Sequence, residues 1–177
     1  MKKIVFSLLT CFILLACHDV KKQKQLDQME TLIAKINSIR QTLKGAQIED
    51  LPPMIDEVNS VTKTIYRKSN NLDTISIEWA QKLEDYKYIS TGLSFFQSST
   101  DGMKRNIYES SQSLELLKNE IKNAQGDRSK YAKNIKFEEQ KVAELADFLQ
   151  KMLETKTICV NSYNRLHNEI KAYSVSQ

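Results

Sequence analysis

Glycine and proline are scarce in this chain, four of the first and two of the second among 177 residues. Turn-rich architectures lean on those residues, so an all-β sandwich or barrel is excluded. Histidine occurs only as His18 and His167. Neither stands beside a Ser or Cys nucleophile with a third, orienting group nearby, so no catalytic triad is legible. The paired Glu-x-x-His pattern of di-iron bundles fails as well, because Asn164 occupies the position three before His167. No glycine-rich phosphate loop is present, and adjacent Glu138 and Glu139 would point about 100° apart on a helix. The expectation is a chain that is not an enzyme and carries no cofactor or metal.

Charge of one sign is also missing. The formal net charge is +4, and Lys2 and Lys3 alone account for half of it. The remaining basic residues are interleaved with Glu and Asp, as on solvated helix faces. A nucleic-acid partner is therefore not expected. Long apolar runs are absent except for one, from Ile4 to Leu15, about 12 residues. That is short of the roughly 20 residues a bilayer core requires, but it suits the apolar region of a signal peptide, with Lys2 and Lys3 as its basic start.

The run ends in Leu14-Leu15-Ala16-Cys17, which resembles the lipobox of bacterial lipoproteins. The resemblance covers residues 1–17 only. It implies a signal peptide of residues 1–16 that is removed, diacylglycerol on the Cys17 thiol and an acyl group on the new amino terminus. Burial of each methylene contributes about 0.8 kcal/mol, and two or more chains hold a protein stably on a bilayer. In diderm bacteria an Asp directly after the lipidated cysteine favours the inner membrane. Here His18 stands there and Asp19 follows, so the resemblance implies an outer-membrane lipoprotein carrying palmitate-like chains. Of the other cysteines, Cys11 leaves with the signal, and Cys159 is expected to be a small buried hydrophobe. The other reading of Cys159 is a disulfide between copies.

What the chain does have is a long 3-4 apolar spacing. From Met103 the series runs Ile107, Ser110, Leu114, Leu117, Ile121, Ala124, Arg128, Tyr131, Ile135, Glu138, Val142, Leu145, Leu149, Met152, Lys156, Cys159, Tyr163, Leu166, Ile170, Tyr173. Only Ser110, Arg128, Glu138 and Lys156 interrupt it, which is the spacing of a coiled-coil seam. The phase survives Gly126, which predicts one helix over 102–173; the alternative is a break with Asp127 capping a new helix. A second helix is expected over 53–98, with Val58, Val61, Ile65, Leu72, Ile75, Trp79, Leu83, Tyr86, Ile89, Leu93 and Phe96 inward and a weak point at Ile89–Gly92. Ser98-Ser99-Thr100-Asp101-Gly102 reads as the clearest turn. A first helix is expected over 19–44, with Leu26, Met29, Ile33, Ile36 and Leu43 inward and Leu32 and Ile39 widening the stripe.

At 1.5 Å per residue these helices would measure about 39, 68 and 105 Å. They would form either a two-stranded antiparallel rod turned at 98–102 or, preferred for the wide stripe on the first helix, an elongated three-helix bundle. Residues 17–177 are read as one all-α domain of antiparallel, coiled-coil-like helices. Tyr88 and Phe95 fall off the seam near the expected turn and are the candidate contacts for a protein partner. The basic start Lys21-Lys22-Gln23-Lys24 is open to two readings, contact with anionic headgroups or simple solvation.

The sequence thus points to a lipid-anchored, non-enzymatic helical protein-binding or scaffold module of the cell envelope, with self-association left open. The rival is a membrane-active protein whose helices rearrange and insert. The chain is similar to the long-helix outer-membrane lipoproteins, the murein lipoprotein class among them, in lipobox and heptads. Tyr173-Ser174-Val175-Ser176-Gln177 lacks the terminal lysine of that class, so covalent attachment to the wall is not implied.

Overall fold

The computed structural model describes residues 2–69 and 76–176, with side chains described for residues 20–68 and 76–175. It is an all-α helical bundle. Helix α1 spans Lys2–Lys44, α2 Leu51–Ser69, α3 Ile77–Asn123 and α4 Tyr131–Ser176, and a 3-10 turn over Arg128–Lys130 leads into α4. Packing divides the chain into two compact units, Met1–Gln41 with Arg105–Ala146 and Thr42–Lys104 with Asp147–Gln177.

In the first unit α1 packs with the second part of α3 and the first part of α4. Buried positions on α1 are Gln25, Met29, Leu32, Ile36 and Ile39, a strict alternation of four and three. Leu32 and Ile39 are therefore the seam itself, while Leu26 and Ile33 are half-buried flanks. Lys118 meets Glu30 at 3.3 Å and Arg40 donates to Ser111 Oγ at 2.5 Å, so α1 and α3 run antiparallel. Ile107, Leu114, Leu117 and Ile121 of α3 and Tyr131, Ile135 and Val142 of α4 complete this core.

In the second unit α2 takes the third place. Its buried line is Leu51, Ile55, Val58, Val61 and Ile65, against Leu83, Tyr86, Ile89, Leu93 and Phe96 of α3 and Leu149, Met152, Cys159, Leu166 and Ile170 of α4. Pro52 and Pro53 stand in the first turn of α2, where a missing N–H costs no hydrogen bond. Contacts of α3 with α4 descend on one as they ascend on the other: Lys82 with Glu169, Tyr86 with His167 and Phe95 with Phe148. These two helices are antiparallel as well.

Three expected boundaries are corrected. The turn at Ser98–Gly102 does not exist, because α3 runs straight through it. The buried line passes from Phe96 to Thr100 to Met103 without losing phase. The Thr100 hydroxyl, 2% exposed, donates to Phe96 O at 2.9 Å. A hydroxyl satisfied by its own helix four residues back sits in a core at little cost. The hinge expected here is absent, while the expected all-α bundle of antiparallel helices stands. The weak point at Ile89–Gly92 is likewise ordinary helix, with Ser90 Oγ donating to Lys87 O at 3.1 Å.

The second correction is the helix over 53–98, which is two helices. Ser76 opens α3: its hydroxyl accepts from Trp79 N at 3.4 Å and its carbonyl from Ala80 N at 3.0 Å. Leu72 and Ile75, expected on the seam, lie outside the described residues. The third is the helix over 102–173, which breaks at Gly126. Ala124 N donates to Ile121 O and Gln125 N to Glu120 O, with Ala124 at φ +54° and Gly126 at φ +71°. This is a Schellman close, which needs a left-handed residue just past the helix. Asp127 then caps the 3-10 turn by accepting from Ser129 N at 3.0 Å.

Two seam interruptions serve as helix closures. Lys156 donates from α4 to Ala46 O and Gln47 O at the end of α1, and Arg128 donates to Ala124 O at the end of α3. Cations there offset the negative end of a helix dipole. Glu138, 6% exposed, accepts from Ser113 Oγ at 2.6 Å and meets Lys141 at 3.3 Å.

Candidate functional site

The second unit holds a group of polar side chains from three helices. Tyr163, His167 and Lys171 share one face of α4 at a spacing of four, and no spacing in the sequence joins Tyr86 or Glu57 to them. His167 on α4 is 7% exposed and Tyr86 on α3 is fully buried. Their Nδ1 and hydroxyl lie 2.6 Å apart. On the other side His167 Nε2 is 3.4 Å from Glu57 Oε2 of α2, and Tyr163 also donates to that oxygen. Tyr163 stacks on the His167 ring, with centroids 4.5 Å apart. Lys171 stands 3.9 Å from the other Glu57 oxygen.

The proton arrangement follows from the partners. Nε2 carries its hydrogen toward the Glu57 carboxylate, which leaves Nδ1 as acceptor for the Tyr86 O–H. Burial holds the ring below the ordinary histidine pKa; the Glu57 carboxylate opposes that shift and Lys171 adds to it. The ring is therefore neutral near pH 7, and its contact with Glu57 is a hydrogen-bond-like approach and not an ion pair. Glu57 lies below the usual carboxylate range, first through the Tyr163 hydroxyl and also through Lys171 and His167. Burial pushes the Tyr86 hydroxyl up, and Tyr163 is pushed up to about 12 by burial and by Glu57. Both ring nitrogens are engaged and both phenols stay protonated. Such a set joins α2, α3 and α4 in one register; it offers no free base.

In the same unit, Gly92 marks a close approach of α3 to α4. A methyl group there would overlap Cys159 Sγ and stand 3.3 Å from Thr155 Cγ2. Cys159 is fully buried at this crossing, and burial raises its thiol pKa. It is the small core residue expected, out of reach of a second copy.

Of the residues singled out from sequence, the Cys17 side chain lies outside the described residues. Tyr88 and Phe95 are 55% and 46% exposed on α3, two turns apart on one face with Gly92 between them. They do not sit at a bundle tip, because the turn that would have made one is helix. The structure adds Phe148 of α4, 39% exposed, whose ring meets Phe95 edge-on at 6.5 Å between centroids. Trp79, expected in the core, is half-buried and stacked on Tyr173 at 4.1 Å. Among the described residues no helix is long and apolar enough to cross a membrane. No protein-family model matches the chain, and neither a curated protein nor a solved structure gives a significant match.

Proposed function

We propose that this chain is an envelope lipoprotein, held by lipid on Cys17, whose helical bundle is a non-enzymatic module that binds another protein. The observation that carries the anchor is Lys2-Lys3, the apolar run Ile4–Leu15 and Leu14-Leu15-Ala16-Cys17 in that order. His18 after the cysteine favours the outer membrane of a diderm cell. The binding face is Tyr88, Phe95 and Phe148, three large rings on adjacent helices that remain in solvent although α3 buries its own Tyr86 and Phe96 fully. Aromatic side chains of this kind are where protein interfaces concentrate their binding energy.

Metabolic labelling with a fatty-acid analogue tests the anchor. The wild-type chain should take up label and Cys17→Ser should not; label retained by Cys17→Ser would sink the lipobox assignment. Photo-crosslinkers placed at Tyr88 and at Phe95 should trap one and the same envelope protein. A crosslinker at exposed Gln97, on the opposite side of the same helix, should trap none, and equal yields from all three positions would remove the aromatic face.

A further inference from the structure

The first unit gathers basic side chains from three separate stretches at the end nearest Cys17. Lys21, Lys22 and Gln25 of α1 line one cleft with Ile121, Ala124, Arg128 and Tyr131. A second, shallower depression joins Val20, Lys22 and Lys122. Two carboxylates of this unit are paired with other lysines, Glu30 with Lys118 and Asp127 with Lys130. Among the described residues Lys21, Lys22 and Lys122 have no carboxylate partner. The Gln25 side chain, 8% exposed, lines the first cleft without a hydrogen bond to a described residue. Arg128 is held in place by its bonds to Ala124 O.

We infer that this basic end docks on anionic lipid headgroups of the membrane that carries the anchor. α1 is one helix from Lys2 to Lys44, so Lys21 follows Cys17 by about 6 Å of helix rise. That lies within the roughly 8 Å over which charge acts at physiological salt. A lysine at an anionic surface raises occupancy about fivefold. Lys122 and Arg128, more than a hundred residues away in sequence, turn a short basic run into a surface that fixes how the first unit stands on the bilayer. The inference rests on the lipoprotein reading for the identity of the anchor.

The test uses the full chain, reconstituted into vesicles of neutral phosphatidylcholine or of phosphatidylcholine with phosphatidylglycerol, and an amine-reactive label read residue by residue. Lys21, Lys22 and Lys122 should react about fivefold more slowly on the anionic vesicles, and high salt should abolish the difference. Lys35, exposed about 27 Å along α1 from Cys17, should react equally on both. Lys122→Glu should release Lys21 from protection while Lys122→Arg retains it, with unchanged circular dichroism in each. Equal reactivity on both vesicles overturns the inference. So does equal protection by soluble polyglutamate on neutral vesicles, which would make an acidic polypeptide as good an occupant. Protection with no lipid label on Cys17 would remove the anchor reading and uphold the headgroup contact. A labelled Cys17 with unprotected lysines would do the reverse.

Discussion

The two units are built from the same seam spacing but fill it differently. The first unit's core is aliphatic apart from Tyr131, Ser110, Gln25 and the Glu138 carboxylate. The second adds Tyr86, Phe96 and His167, a helix crossing that only glycine permits, and hydrogen bonds linking three helices. Aliphatic seams are stable in several registers, because one heptad step looks much like the next. A histidine with two obligatory partners fits only one. The second unit is therefore where the sequence specifies its own packing, and it also carries the exposed rings of Tyr88, Phe95 and Phe148.

The sharpest way to break this comparison is a charge in each core. Leu149, 4% exposed in the second unit, should not tolerate Asp. Truncating a core leucine costs about 2–5 kcal/mol, and an unpaired buried charge at least as much, against a domain stability of about 5–15 kcal/mol. Leu145 in the first unit lies on the same predicted seam but is only half-buried, so Leu145→Asp should cost distinctly less. Asp at exposed Lys151 should cost little. Thermal melts rank the three; equal losses at 145 and 149 would contradict the burial difference.

Gly92→Val comes next. The added methyls would meet Cys159 Sγ and Thr155 at a crossing with no spare room, and overpacking of this kind costs about 1–3 kcal/mol. Pairing it with Cys159→Ala should recover part of the loss in a double-mutant cycle. No recovery would place the strain elsewhere.

These positions also show why parts of the fold were readable and others were not. The helical class follows from the 3-4 spacing and the shortage of glycine. The buried lines of α2 and α4 were largely predicted, as was the alternative cap at Asp127. Phase alone misled at Gly126: helices on both sides carry seams, and the intervening turn happens to conserve the count. Composition alone misled at Ser98–Gly102, where Thr100 continues the line from Phe96 to Met103. Ser76 with Glu78 behind it is an ordinary helix start and was the better signal that α3 begins there. The Glu57–His167–Tyr86 set could not be read at all. Its members come from three helices, and nothing local ties position 57 to position 167.

That set makes the second unit sensitive to pH. His167 has a lowered pKa in the folded chain, so below the unfolded value of about 6.5 the unfolded chain binds more protons. The stabilisation is complete above that value and is lost as pH falls through the folded one. Glu57, also lowered, acts in the same direction at lower pH. Melting temperature should therefore fall on acidification from neutral pH. Tyr86→Phe leaves Nδ1 without its donor, at a cost of about 1–3 kcal/mol. Because a hydroxyl donating to Nδ1 favours the neutral ring, its loss should also raise the histidine pKa, while burial, the first cause of the lowering, remains. An NMR titration of the His167 ring reads this directly; an unchanged pKa in Tyr86→Phe would mean the hydroxyl does not donate to it.

The smallest effect compares the helix closures of the two units. α3 ends in the first unit with Ala124 at φ +54°, and just past α1, in the second, Gln47 has φ 47°. A left-handed residue other than glycine costs about 1–2 kcal/mol. Glycine returns about 0.4–1 kcal/mol of that through the greater freedom of the unfolded chain. Ala124→Gly and Gln47→Gly should thus each stabilise the protein by about 0.5–1 kcal/mol. Gly126→Ala, at φ +71°, should destabilise it by a similar amount. Neither stabilising change removes a side-chain contact that holds the core: Gln47 is exposed, and the bonds at Ala124 are made by its backbone. Urea midpoints at constant slope measure all three. If Ala124→Gly lowers the midpoint while Gln47→Gly raises it, the close of α3 is held by the packing of the alanine methyl and not by the Schellman hydrogen bonds, and the two units end their helices by different means.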